Sequence, residues 1–248
     1  MRRWLLLCLL VGCAQGSKQE HQYGDYPDAG MDAAPGSDAP MADAAPVCAV
    51  ARSVYLNFEG VNLTKGATSD ATQNMAAWMN KATGTAPAFR AGLGTRATDI
   101  TQITTGVTQA LMPFHVQVVT TRPTTGPYQM VVFGGTQNQV GSAFTAAVQQ
   151  LDCGNAVHGD VAWITDATTY SNQQIINFAL GAIGFGVGLT ATSDPNDCMC
   201  SWANTCTPNA GVTCTFTASI ARDGTAQQTC PNVTDQNEPA SLMNAFCQ

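Results

Sequence analysis

Charged side chains are scarce in this chain of 248 residues. They make up 11% of the sequence, well below the roughly 25% of an average soluble domain. Lysine and arginine number 10 against 17 aspartates and glutamates, which gives a net charge of −7 at pH 7. Because a phosphate backbone needs a positive surface, we expect no nucleic-acid partner.

Histidine and glutamate, the common groups of acid–base and zinc chemistry, are also rare. The histidines are His21, His115 and His158, and the glutamates are Glu20, Glu59 and Glu238. Any zinc site or general base must therefore use these few residues or aspartate.

The N-terminus contains a short apolar run and no segment long enough to span a membrane. Arg2 and Arg3 precede the run Trp4 to Gly12, which is typical of an export signal. Leu10 to Cys13 resembles the bacterial lipobox, which implies a signal peptide over residues 1–12, a lipid on Cys13 and a membrane partner through that lipid. Ala14, by the same resemblance, favours the outer membrane of the cell envelope, facing the periplasm or the exterior. The alternative is a plain secretory signal with a chance cysteine.

The sequence predicts two regions after the signal. Residues 13–47 are rich in Asp, Ala and Pro and lack core-forming residues, so we expect a disordered tether. Residues 48–248 are enough for a single domain with one core.

Eight cysteines in that domain indicate disulfides, because an exported protein meets an oxidising compartment. They are Cys48, Cys153, Cys198, Cys200, Cys206, Cys214, Cys230 and Cys247. Five fall between positions 198 and 230, which predicts a loop-rich, disulfide-rich C-terminal part, while Cys48 and Cys247 are placed to tie down the termini. The alternative is a thiolate metal site formed by Cys198, Cys200, Cys206 and Cys214.

The hydrophobic pattern predicts an α+β fold with a mixed sheet. Alternating or apolar runs predict strands over residues 53–58, 114–120, 129–133 and 160–165. Apolar residues at helical spacing predict helices over residues 71–82, 99–112 with a cap at Thr98 or Asp99, 172–189 and 240–246.

No charged residue occurs between Asp166 and Asp194, and residues 175–189 are nearly all apolar or glycine. Three interpretations are open: a membrane span, a glycine-rich phosphate cradle and a buried central helix. The run is short for a membrane, and its glycines fit neither nucleotide-binding spacing, so the pattern favours the buried helix.

The segment from Gly184 to Thr192, followed by Asp194 to Met199, resembles the active-site helix and Met-turn of metzincin-type zinc peptidases. Their motif, H-E-x-x-H-x-x-G-x-x-H, supplies three zinc ligands and a glutamate that activates water. Residues 54–60, 113–116 and 120–123 are similar to secreted members, and the resemblance covers most of residues 53–248. The aligned motif positions are Gly181, Ala182, Phe185, Gly188 and Ala191, with Met199 at the Met-turn.

The resemblance implies a metzincin-like (zincin) scaffold that lacks its ligands. Phe185 places an apolar ring where an imidazole would bind, and Ala182 offers no proton acceptor. We therefore expect no catalytic residues, metal or cofactor, and a binding or decoy module with a peptide or protein ligand. The alternatives are an active hydrolase using Asp160, Asp166 or His158, and a structural or adhesive envelope protein.

Overall fold

The computed structural model describes residues 52–200 and 206–246. The predicted signal peptide and tether, and residues Cys13, Cys48 and Cys247, lie outside the described residues.

A mixed five-stranded sheet forms the centre of the fold, in the order β5-β1-β6-β8-β7. Its strands are β1 (Ser53–Asn57), β5 (Gln117–Val119), β6 (Tyr128–Phe133), β7 (Ala147–Val148) and β8 (Val161–Ile164). Strands β5 and β6 each pair in parallel with β1, and β6 also pairs in parallel with β8. Strand β7 pairs antiparallel with β8 at the edge of the sheet. Parallel neighbours need long crossover connections, which the helices supply.

Both faces of this sheet are covered, because alternate residues of the central strands enter different cores. Val131 and Phe133 of β6 pack with the helices α1 (Arg96–Leu111) and α3 (Asn172–Gly186). Met130 and Val132 pack on the opposite face with a small sheet in the order β3-β2-β4. Its strands are β2 (Val61–Lys65), β3 (Met75–Ala76) and β4 (Thr83–Ala86). A one-turn helix, α2 (Gln137–Val140), follows β6.

The predicted long helix is α3, and it is buried along nearly its whole length. It begins at a capping box in which the Ser171 hydroxyl accepts a hydrogen bond from Gln174 N, while Gln174 Oε1 accepts one from Ser171 N. From Ile175 to Gly186 only Phe178 is partly exposed. None of the helices described is long and apolar enough to cross a membrane.

Helix α1 begins earlier than predicted, so the proposed cap at Thr98 or Asp99 is wrong. The N-cap is Thr95, and its hydroxyl donates to the Asp99 carboxylate at 2.9 Å. Asp99 instead forms an ion pair with Arg90 at 2.9 Å and accepts a hydrogen bond from Asn172. The Asp99 carboxylate, which sequence reasoning assigned to the helix cap, thus binds Arg90 and Asn172 from other parts of the fold.

The helix predicted over residues 71–82 is wrong. Asp70 Oδ1 accepts hydrogen bonds from the backbone and hydroxyl of Thr72, and this turn competes with a helix. Asn74 then adopts a left-handed φ of 56°, and its carbonyl accepts from Thr64 N of β2. The apolar residues that suggested a helix are still used, because Met79 is buried in the core beneath the small sheet.

The strand predicted over residues 114–120 is shorter. Met112–Phe114 form a 3-10 turn that ends at His115, whose φ is 58°. His115 is exposed and precedes β5, so it does not belong to a strand.

The C-terminal part contains little regular structure besides the strands β9 (Ile220–Ala221) and β10 (Asp235–Gln236) and the helix α4 (Glu238–Phe246). Among the residues that the structure describes, three disulfides stabilise it: Cys153–Cys230, Cys198–Cys214 and Cys200–Cys206. Cysteines in disulfides cannot act as thiolate ligands, so the alternative metal site at these residues is wrong. The predicted α+β fold with a mixed sheet and C-terminal disulfides is confirmed.

Candidate functional site

The motif positions lie at the C-terminal end of α3 and just beyond it. Gly181, Ala182 and Phe185 are in the last turns of the helix, and all three are buried. Ala191 follows the turn at Gly188 and is also buried, with its carbonyl accepting a hydrogen bond from Asp223 N at 2.7 Å. At these positions the side chains are therefore packing groups within the protein.

Gly188 is the residue at which the chain leaves α3. Its φ is +86°, and Gly188 N and Leu189 N donate to the carbonyls of Phe185 and Gly184 at 3.1 and 2.9 Å. A Cβ at Gly188 would lie 2.9 Å from the carbonyl oxygen of Asp152. Both the left-handed backbone and the close approach of that loop require glycine here.

Met199 packs against the same helix. A Cβ added to Gly184 would lie 2.5 Å from Met199 Sδ, so the absent side chain leaves the space that the thioether fills. Asp197 holds this segment, because its carboxylate accepts hydrogen bonds from Met199 N and Thr192 Oγ1. The methionine and the helix end thus form one packed unit.

A disulfide-linked loop covers the end of α3. Asp152 N donates to Phe185 O at 3.1 Å, and Cys153 is joined to Cys230. Cys230 Sγ in turn lies 3.5 Å from Gly188 O. At the C-terminus of α3 the carbonyl of Phe185 thus accepts hydrogen bonds from this loop and from Gly188 N, and the carbonyl of Gly184 accepts from Leu189 N.

Beneath the helix end lies a polar cluster built around Arg52 and Asp160. The two side chains form a buried ion pair at 3.6 Å, and Arg52 also donates to Asn155 Oδ1 at 2.7 Å. Gln129 Nε2 donates to Ala182 O at 3.3 Å. Burial raises the pKa of Asp160 to about 7, although the charge of Arg52 opposes that shift.

Several atoms of this cluster have no hydrogen-bond partner within the part of the chain that the structure describes. They are Arg52 Nε, Gln129 Oε1, Gln149 Oε1, Asn155 Nδ2 and Asp160 Oδ2. Because the set mixes donors with acceptors, it suits water, which does both, better than an ion of either sign.

A second buried polar cluster lies on the other side of the motif. Glu238 accepts hydrogen bonds from Thr217 N at 2.9 Å and from Gln236 Nε2 at 2.6 Å. Gln236 also bonds Thr190, the neighbour of Ala191. Burial, followed by the negative charge of Asp197, raises the pKa of Glu238 to about 9, so the Glu238 carboxyl is protonated at neutral pH.

The residues of the alternative hydrolase site do not come together. Asp160 precedes β8 and Asp166 follows it, so the two residues lie beyond opposite ends of this strand. His158 is exposed in the loop before β8. Asp166 accepts a hydrogen bond from Arg90 N at 3.1 Å, at the edge of a surface pocket.

Sequence reasoning missed the polar residues that surround the motif. Gln129 lies in β6 and Glu238 in α4, while Arg52 precedes β1 and Asp197 lies in a loop, so no spacing in the sequence joins them. One signal was present for Gln129, a polar residue inside the apolar run of β6. Among the described residues, no three His, Cys, Asp or Glu side chains are grouped so that they could hold a metal ion.

A scan against models of known protein families finds no match to this chain, and a search of curated proteins finds no similar sequence.

Proposed function

We propose that this chain is a catalytically inactive, metzincin-like module that binds a peptide or protein, or acts as a decoy, at the bacterial cell surface. In this proposal the chain is exported, anchored in the outer membrane through a lipid on Cys13, and held away from the membrane by residues 13–47.

The identity of the side chains at the end of α3 carries the proposal. Phe185, with 4% of its surface exposed, stands where the second histidine of the motif would bind zinc, and Ala182, fully buried, stands at the general base. Neither a phenyl ring nor a methyl group binds a metal or takes up a proton. A mechanism that uses zinc-bound water has no ligands at these positions.

Two geometric features support the scaffold assignment. The motif calls for a glycine turn directly after the helix, and Gly188 makes such a turn with a left-handed φ. The motif also calls for a methionine beneath the helix, and Met199 packs against α3 at Gly184. The placement of Asp160 and Asp166 beyond opposite ends of β8 favours this proposal over a hydrolase that combines those carboxylates.

A peptidase assay tests the proposal. We expect the purified full chain to leave fluorescent casein uncut, both with added zinc and with a chelator, because no described residue at the motif can activate water. Cleavage that zinc supports and the chelator abolishes would overturn the proposal. Protein unfolded by reduction of its disulfides serves as the control, because cleavage that persists after reduction would come from a contaminating peptidase.

A further inference from the structure

The Cys153–Cys230 disulfide is more open to solvent than the other disulfides. Among the six disulfide-bonded cysteines that the structure describes, Cys153 alone is exposed. Its neighbour Gly154 is exposed as well, and a Cβ added there would meet no described atom within 4 Å. Cys198 and Cys214, in contrast, are buried in the main core. Since thiol–disulfide exchange requires that a thiolate reach one of the two sulfurs, Cys153 is open to attack in the folded protein.

Cys230 lies in the connection between β9 and β10, and we call residues 226–233 of this connection the β9–β10 tip. Most residues of the tip are exposed, whereas Cys230 exposes only 5% of its surface. Ala226 N donates to Asp223 O and Val233 N donates to Cys230 O, so these hydrogen bonds stay within the connection itself. Among the described residues, the disulfide is therefore the bond that joins the tip to the rest of the domain.

The base of the same connection is held by bonds that contain no sulfur. Arg222 N donates to Thr234 O at 3.0 Å, and Asp223 N donates to Ala191 O at 2.7 Å. Strands β9 and β10 pair with each other on either side of this base. Breaking the disulfide thus frees the tip but leaves the base in place.

The loop that carries Cys153, residues 149–160, is also held by other contacts. Arg52 donates to Asn155 Oδ1 at 2.7 Å, and Asp152 N donates to Phe185 O at 3.1 Å. Of the two segments that the disulfide joins, the β9–β10 tip is therefore the one that reduction releases.

The disulfide lies against the turn at which the chain leaves α3. Cys230 Sγ is 3.5 Å from Gly188 O, and Gly188 is only partly exposed. The amides of Gly188 and Leu189 form the hydrogen bonds of this turn, to Phe185 O and Gly184 O. Release of the tip gives water access to these amides.

We propose that the Cys153–Cys230 disulfide is a redox latch: a dithiol reduces it in the folded protein, and the β9–β10 tip then leaves the turn at Gly188. The main core keeps its own disulfide, Cys198–Cys214, which a reductant does not reach. The latch does not depend on the proposed function, because it concerns a covalent bond of the chain and not a ligand.

The exchange follows the ordinary course of dithiol chemistry. A thiolate of the dithiol attacks Cys153 Sγ, the bond between the two cysteine sulfurs breaks, and Cys230 leaves as a thiolate that takes a proton from solvent. The second thiolate of the reductant then attacks the reductant's own sulfur in the mixed disulfide, which releases Cys153 as a thiolate that is likewise protonated. Two electrons pass to the protein, and the dithiol becomes a disulfide.

Reduction of the oxidised full chain by dithiothreitol, without denaturant, tests the proposal. Samples are quenched over time, their free thiols are alkylated with N-ethylmaleimide, and each cysteine is followed by peptide mass spectrometry. We expect Cys153 and Cys230 to be alkylated at least about tenfold faster than Cys198 and Cys214, because the latter pair is buried. Equal rates for the two disulfides would overturn the proposal.

Hydrogen exchange distinguishes a latch from a disulfide that holds the whole fold together. Oxidised protein is compared with the variant Cys153→Ser/Cys230→Ser after labelling for seconds in deuterated water. We expect the peptide that contains Gly188 and Leu189 to exchange faster in the variant, while the amides of β6 stay protected in both proteins. Unchanged exchange at Gly188 and Leu189 would overturn the proposal, as would loss of protection throughout β6.

Discussion

The buried carboxyl of Glu238 makes the stability of this protein depend on pH in a direction opposite to that of most proteins. Its pKa rises from an ordinary value of 4.5 to about 9 because burial and the charge of Asp197 disfavour the carboxylate. The native state therefore keeps a proton that the unfolded chain has already released. Stability from this source is complete below pH 4.5 and is lost as the pH rises toward 9.

The magnitude follows from the size of that pKa rise. At about 1.4 kcal/mol per pH unit, a rise from 4.5 to about 9 corresponds to a loss of up to about 6 kcal/mol in the free energy of unfolding. Asp160 adds a similar slope, but only between its ordinary value of 3.8 and about 7. Above pH 7 the slope belongs mainly to Glu238.

Urea unfolding of the full chain between pH 5 and pH 9 measures this slope. Glu238→Gln keeps a neutral side chain, so the variant should lose the slope above pH 7, although it gives up one hydrogen bond and is less stable at pH 5 by about 1–3 kcal/mol. Asp160→Asn should flatten the curve below pH 7 instead. The matched control is Glu59→Gln, since the Glu59 side chain is 75% exposed and its replacement should change neither region. An unchanged slope above pH 7 in Glu238→Gln would refute the reasoning.

Three further changes test the packing around the end of α3. Gly188→Ala should lower the free energy of unfolding more than Gly92→Ala. Both glycines have a φ above +80°, but only at Gly188 does backbone lie within 4 Å of the added Cβ. Equal losses would contradict the close approach of the Asp152 loop to Gly188. Replacing both Cys153 and Cys230 by Ser should lower the free energy of unfolding by about 4–5 kcal/mol, because this disulfide closes a long loop. A loss below about 1 kcal/mol, measured by thermal unfolding, would contradict a stabilising role for this disulfide. Arg52→Met should cost about 3–5 kcal/mol at pH 8 and less at pH 5, where its partner carboxyl is protonated; a loss independent of pH would contradict the ion pair.

The sequence predicts best those elements whose apolar pattern indicates that they are buried. The apolar run of β6 and the long apolar segment of α3 each have a pattern that only a buried element satisfies, and both form close to the predicted residues. The pattern of residues 71–82 misleads because the hydrogen bonds of Asp70 to Thr72 favour a turn. Met79 is buried as expected, but it lies in a loop instead of a helix.

The site is predictable only in its local part. The motif positions of α3 and the turn at Gly188 lie within one short segment, so their spacing can be read directly. The polar clusters around Arg52 and Glu238 combine residues from distant elements, and only the fold brings them together. The raised pKa values of Asp160 and Glu238 follow from burial, which a sequence does not display.

The zinc content of the purified full chain tests the central claim most directly. The protein is incubated with excess zinc, desalted and analysed by inductively coupled plasma mass spectrometry, and its melting temperature is measured with and without a chelator. The account predicts far less than one zinc ion per chain and a melting temperature that the chelator does not change. One tightly held zinc ion per chain, with a melting temperature that falls when it is removed, would contradict it.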